Sequence, residues 1–182
     1  MDQGEMNNSS RNTSLIYAVP VLQVVGYKNS GKTALVCSLI AALSNAGLRV
    51  GSAKHDAHEF RLDDPETDSE KHLSYGAVET VLTSSRATRS MRKKPTSLGD
   101  IAVQLAGRAD IVIAEGFKSA PYPKIALIRH SDDIEGLFTQ AADIRLWISW
   151  EESVGGTPLP ALWIKDEASV LDAAVTLARS LL

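Results

Sequence analysis

Eight consecutive residues, Gly26-Tyr27-Lys28-Asn29-Ser30-Gly31-Lys32-Thr33, spell a GxxxxGK[ST] phosphate-binding loop between an apolar run at 19–25 and a helix-like stretch at 32–46. No other feature limits the chain as much, because such a loop works where a buried strand hands over to a helix. Glycines let the main chain wrap closely about a phosphate chain, and successive N–H groups then point inward as a nest of donors. Lys32 is suited to the β- and γ-phosphates, the Thr33 hydroxyl to Mg²⁺, and the helix that begins there turns its positive end toward the same anion. The expected ligand is a nucleoside triphosphate or a close relative. Gly26, Lys28, Asn29, Ser30, Gly31, Lys32, Thr33 and Ala34 are its expected cradle.

Strand and helix signals alternate along the chain, as in a three-layer α/β/α P-loop NTPase with a mostly parallel sheet flanked by helices. The predicted strands are 19–25, 49–54, 77–83, 110–114, 124–129, 145–149 and 161–165. The predicted helices are 32–46, with Gly47 as its stop, a short one from Asp68 to Gly76, 98–106 behind Ser97, and the amphipathic 169–181. The 182 residues suit one nucleotide-binding domain, 15–182, behind a polar flexible tail, 1–14. Nineteen Lys and Arg against 22 Asp and Glu give a net charge of −3, which argues against a nucleic-acid or anionic-membrane partner. No apolar run is long enough to span a bilayer. The lone Cys37 excludes an internal disulfide and fits a cytoplasmic protein; among Leu35, Val36, Leu39 and Ile40 it is expected to be buried.

The apolar run 110–114 delivers Glu115 to the carboxyl end of a strand, where a carboxylate anchors the Mg²⁺ shell or orients a water near the γ-phosphate. Lys32 and Glu115 are therefore the catalytic candidates. Asp56, just after the second predicted strand, joins Thr33 and Glu115 as a candidate metal residue. Lys54 and His55 are suited to hydrogen-bonding a phosphate or substrate. His55 and His58, three apart, also admit a transition-metal site, although no cysteine or helix supports it. The basic run with Arg86, Arg89, Arg92, Lys93 and Lys94 is either a solvated face or a clamp for an anionic second substrate. Trp147, Trp150 and Trp163 read as core and interface residues.

There is no Asn-Lys-x-Asp guanine reader late in the chain. A P-loop kinase phosphorylating a small metabolite, with the basic run as a short lid, stays open, as does a scaffold for protein contact. Four segments match one family closely: Gly26–Thr33; Lys54-His55-x-x-His58; the Asp68-Ser69 stretch running into Gly76-Ala77; and Glu115-Gly116-Phe117-Lys118 followed by Lys124-Ile125 and Arg129. In these the sequence resembles the molybdopterin-guanine dinucleotide biosynthesis protein B (MobB) family. The resemblance implies a GTP-binding, Mg²⁺-dependent accessory protein with weak hydrolysis, usually a homodimer. Its implied partners are molybdopterin guanylyltransferase and molybdopterin or its molybdenum form. It also implies that Gly31, Lys32 and Thr33 hold phosphates and Mg²⁺, that Asp56 and Glu115 support the metal, and that Lys54, His55 and Lys118 serve the anionic site. The family's late segment usually reads Ser-Asp near the base site, where this chain has Ser149-Trp150-Glu151.

Overall fold

Val21–Gly26 (β1) is buried along its whole length, as a strand covered on both faces must be. The computed structural model describes residues 18–56 and 59–182. After β1 come α1 (Lys32–Asn45), β2 (Val50–Lys54), α2 (Asp68–Ser74), β3 (Glu79–Thr83), β4 (Thr88–Arg92) and α3 (Leu98–Gln104). The chain continues through β5 (Ile111–Glu115), β6 (Lys124–Ile128), α4 (Asp133–Gln140), β7 (Ile144–Ser149), β8 (Ala161–Trp163) and α5 (Glu167–Arg179). Six strands form one sheet in the order β2-β5-β1-β6-β7-β8, and every pairing in it is parallel. Register brings the carboxyl ends together: Glu115 lies opposite Val24 of β1 and Lys54 of β2, and Gly26 lies opposite Leu127 of β6. Ligands of open parallel sheets bind at that edge.

Side-chain alternation divides the core into layers. On one face Leu22, Val24, Ile111, Ile113, Ile125 and Leu127 pack with Leu35, Leu39 and Leu43 of α1 and with Val170 and Ala174 of α5. On the other, Val21 and Val112 meet Leu98 and Ala102 of α3, while Val25, Ile128 and Trp147 meet Ile134 and Leu137 of α4. The result is the expected parallel sheet between two helical layers. Three helices begin at side-chain caps: Thr67 accepts from the Glu70 N–H, Ser97 from Asp100 and Asp166 from Ser169. α1 begins at Gly31 with no side-chain cap and no acidic residue in its first turn. Its first N–H groups are thus left for an external acceptor.

Three expectations are corrected. The strand foreseen at 77–83 does not join the parallel sheet; β3 pairs antiparallel with β4 in a separate two-stranded sheet. The Ser84 hydroxyl accepts from the Arg86 and Ala87 N–H groups and closes the hairpin. α4 has no counterpart in the expected elements. Its two fully apolar anchors, Ile134 and Leu137, sit among residues typical of a turn, and Asp133 accepts the Arg129 N–H at 2.8 Å. Cys37 is exposed. The stretch 34–40 is too uniformly apolar to mark a stripe, and the face that packs carries Leu35, Val36, Leu39 and Leu43.

Candidate phosphate-binding site

The loop begins where β1 stops. A Cβ on Gly26 (φ 154°) would stand 2.5 Å from the Leu127 carbonyl oxygen and 2.7 Å from Ser30 Oγ, so the position admits only glycine. Asn29 (φ 62°) and Gly31 (φ 94°) adopt left-handed backbone, and the Ser30 N–H donates to Tyr27 O at 3.3 Å. The curled loop walls a cleft of about 550 Å³, lined by residues 28–34 with Lys54, Glu115 and Trp150.

Charge in the cleft is internally matched. Thr33 Oγ1 donates to the Glu115 carboxylate, 3.0 Å from each oxygen, and Lys54 Nζ lies 3.3 Å from Oε1. Glu115 itself is buried at the end of β5. Lys32 Nζ donates to Tyr27 O at 2.6 Å. Burial holds the Lys32 pKa below its ordinary value; Glu115 opposes that shift, and Lys118 and Lys54 add to it. A hydroxyl and a carboxylate side by side are hard oxygen donors, the kind Mg²⁺ takes one or two of while keeping phosphate and water oxygens for the rest. The residues present therefore fit that ion. Ser30 Oγ is buried with no hydrogen-bond partner among the described residues.

Other expected site residues stand elsewhere. His55 donates its N–H to Glu115 O at 3.0 Å and packs its ring on Phe117, with centroids 5.1 Å apart. His55 and the exposed Asp56 line a separate cavity of about 990 Å³ and do not line the phosphate cleft. Lys118 lies behind the loop: its Nζ is 4.0 Å from the Tyr27 ring centroid and donates to Gln140 Oε1 at 3.0 Å. Burial lowers its pKa, with Asp133 opposing. His58 lies outside the described residues, and among the described residues no three His, Cys, Asp or Glu side chains gather as a metal site. In the basic run, Arg89 bonds Asp63 and the Leu62 carbonyl, and Arg92 pairs with Glu79 at 2.8 Å.

Three residues that sequence reasoning gave no site role hold this arrangement. Gln23, fully buried in β1, donates to Gly116 O at 3.0 Å and Phe117 O at 2.6 Å, fixing the chain just past Glu115. An amide inside the apolar run 19–25 was the available signal. Lys124, also fully buried, donates to Ala120 O at 2.6 Å and Tyr122 O at 2.7 Å, and burial lowers its pKa. Trp150 donates its indole N–H to Ser30 O at 2.9 Å, tying the end of β7 to the phosphate loop. No local pattern announces that bond.

The family model described as molybdopterin guanine dinucleotide synthesis protein B matches residues 21–150, from the start of β1 to Trp150. The chain belongs to the MobB family. A probable molybdopterin-guanine dinucleotide biosynthesis adapter protein of Bacillus subtilis (strain 168) is 30% identical over 137 residues, covering 72% of this chain and 76% of the relative. A MobB relative from Haemophilus influenzae, also named an adapter protein, is 36% identical over 114 residues, 61% of this chain and 64% of its own. The crystal structure of a MobB homolog from Bacillus stearothermophilus superposes with a TM-score of 0.70 at 31% identity, covering 88% of this chain and 98% of that one. Like the rest of the fold, the MobB core here has no helix, among the described residues, long and apolar enough to cross a membrane.

Proposed function

We propose that this chain is a GTP-binding adapter for the attachment of GMP to molybdopterin, acting beside a guanylyltransferase. Family membership supports the pathway, since the relatives carry the adapter name. The observation that carries nucleotide binding is the uncapped start of α1 with Thr33 bonded to the buried Glu115 carboxylate. Gly31, Lys32 and Thr33 would hold the phosphates, with Thr33 and Glu115 supplying oxygens to Mg²⁺, and Asp56 reaching that ion through water. Bound Mg²⁺ would neutralise phosphate charge. Lys32 would leave Tyr27 O to meet the β- and γ-phosphates, and Lys54 would be released from Glu115 to the same anion. His55 and Lys118 would extend the anion-binding surface toward molybdopterin.

Hydrolysis in this reading is slow. Among the described residues no arginine lines the cleft, and an arginine finger is worth about 10³–10⁵ in rate. Residues 15–182 act as one nucleotide-binding domain, working as a homodimer in the cytoplasm. The kinase alternative draws no support from the basic run, whose Arg89 and Arg92 are engaged by Asp63 and Glu79. The test is calorimetric titration of Mg-GTP, with and without the transferase. Wild type should bind, more tightly with the partner present, and Lys32→Ala should abolish binding; equal affinity of the two proteins would remove the reading.

A further inference from the structure

We propose that Glu167 is the guanine reader of this chain and that the base lies in an apolar cleft between α1 and the β8–α5 junction. This inference rests on the nucleotide-binding reading above. The cleft measures about 520 Å³ and is walled by Leu127, Ile148, Ile164 and Leu171, with Trp150 at its head. That volume lies within the range of about 300–1,000 Å³ typical of small-ligand pockets. Gly31, Ala34 and Trp150 line both this cleft and the phosphate cleft, so the two form one groove. A ligand gripped by its phosphates at Lys32 therefore has an apolar slot beside it, with volume enough for a flat ring.

Which ring follows from the polar groups. The neighbouring acids are committed elsewhere. Asp166 caps α5 by accepting the Ser169 N–H at 3.2 Å. Glu151 turns toward His130, 3.6 Å away. Trp150 offers no acceptor, and its N–H is already bonded to Ser30 O. Glu167 is the one carboxylate lining the cleft, and no hydrogen bond or ion pair engages it among the described residues. Its neighbour Lys165 instead holds its ammonium 5.5 Å from the Trp163 ring. An ionised carboxylate only accepts, through two oxygens. Guanine presents two parallel donors, the N1–H and the exocyclic amine. Adenine presents an acceptor at N1, which a carboxylate repels, and xanthine replaces the amine by a carbonyl.

The experiment titrates GTP, ATP and xanthosine triphosphate, each with Mg²⁺, and magnesium tripolyphosphate into wild type and Glu167→Gln. The exposed side chain lets the variant fold. Wild type should favour GTP over ATP and xanthosine triphosphate by about ten- to a hundredfold, the worth of one bidentate contact. In Glu167→Gln the amide can donate to the xanthine carbonyl, so the ratio of GTP to xanthosine triphosphate affinity should fall at least about tenfold. ATP, relieved of the carboxylate facing its N1 acceptor and offered the amide N–H instead, should bind more tightly than to wild type, while tripolyphosphate, which carries no base, should stay within about twofold. An unchanged ratio, or equal losses for all four ligands, overturns the assignment. If neither GTP nor tripolyphosphate binds wild type, the phosphate site fails and the base reading falls with it.

Discussion

Gly26→Ala is the sharpest test of how the phosphate loop is built. The added methyl would sit 2.5 Å from Leu127 O and 2.7 Å from Ser30 Oγ. The first is main chain, in the rung where Gly26 pairs with Leu127, so β1 and β6 must separate at the point where the loop departs. Overpacking of this kind costs about 1–3 kcal/mol. The backbone at φ 154° adds strain of about 1–3 kcal/mol for a residue with a side chain. Together the loss is about 2–6 kcal/mol, a large share of the roughly 5–15 kcal/mol by which domains are stable. For a chain of this size each kcal/mol lowers Tm by about 2–4 °C, so a fall of about 4–24 °C is expected. Gly47→Ala supplies the control, since Gly47 has φ 87° and nothing within 4 Å of its would-be Cβ. It should cost only the left-handed backbone, about 1 kcal/mol. Thermal melts followed by circular dichroism, paired with Mg-GTP titration, read both effects. If the two variants melt together, and Gly26→Ala binds like wild type, the steric reasoning is refuted.

Lys32, held low by burial and by its lysine neighbours, should take up protons when a polyphosphate raises its pKa again. Affinity is then constant below the lowered pKa and falls as pH rises through it toward 10.5; titrations at a series of pH values up to 10.5, in buffers of different ionisation heat, should show proton uptake that appears only as the pH enters that window. Asp110 is pulled below its usual 3.8, chiefly by hydrogen bonds from Arg49, and Glu79 below 4.5 by Ser90 and Arg92. Their stabilisation is present above those values and lost as pH falls through the folded ones, so urea midpoints should drop on acidification, and less steeply in Arg49→Ala. Cys37, exposed on α1, should react with a thiol reagent in the folded protein, and Cys37→Ser should change stability by no more than about 0.5 kcal/mol. A thiol that reacts only after unfolding would contradict its placement.

What the sequence made legible was local or continuous. The runs 19–25 and 110–114 read as strands because a parallel strand buried on both faces has no polar alternation to hide it. The loop motif carried its own context. β4 was hidden because Met91 is its only buried apolar residue, and α4 because Ile134 and Leu137 are too few to display a helical period. The bonds that shape the site were out of reach for a different reason. Trp150 meets Ser30 across 120 positions and Gln23 meets Gly116 across 93, and a one-dimensional pattern carries no trace of such pairs. The Lys54–Glu115 contact needs the strand order, since β2 and β5 become neighbours only once the sheet is assembled.

The strand that carries Glu115 is laddered on both edges, to β1 and to β2. The base of its carboxylate is therefore an anvil: displacing the strand, second from the edge of the sheet, would tear two rows of main-chain bonds. Departure from rest is cheap only farther out, past His55 on one side, whose N–H still holds Glu115 O, and past Phe117 on the other, whose carbonyl Gln23 still holds. A neighbouring protein that needs to sense whether the nucleotide has arrived must listen there, at the rim, because the centre stays still.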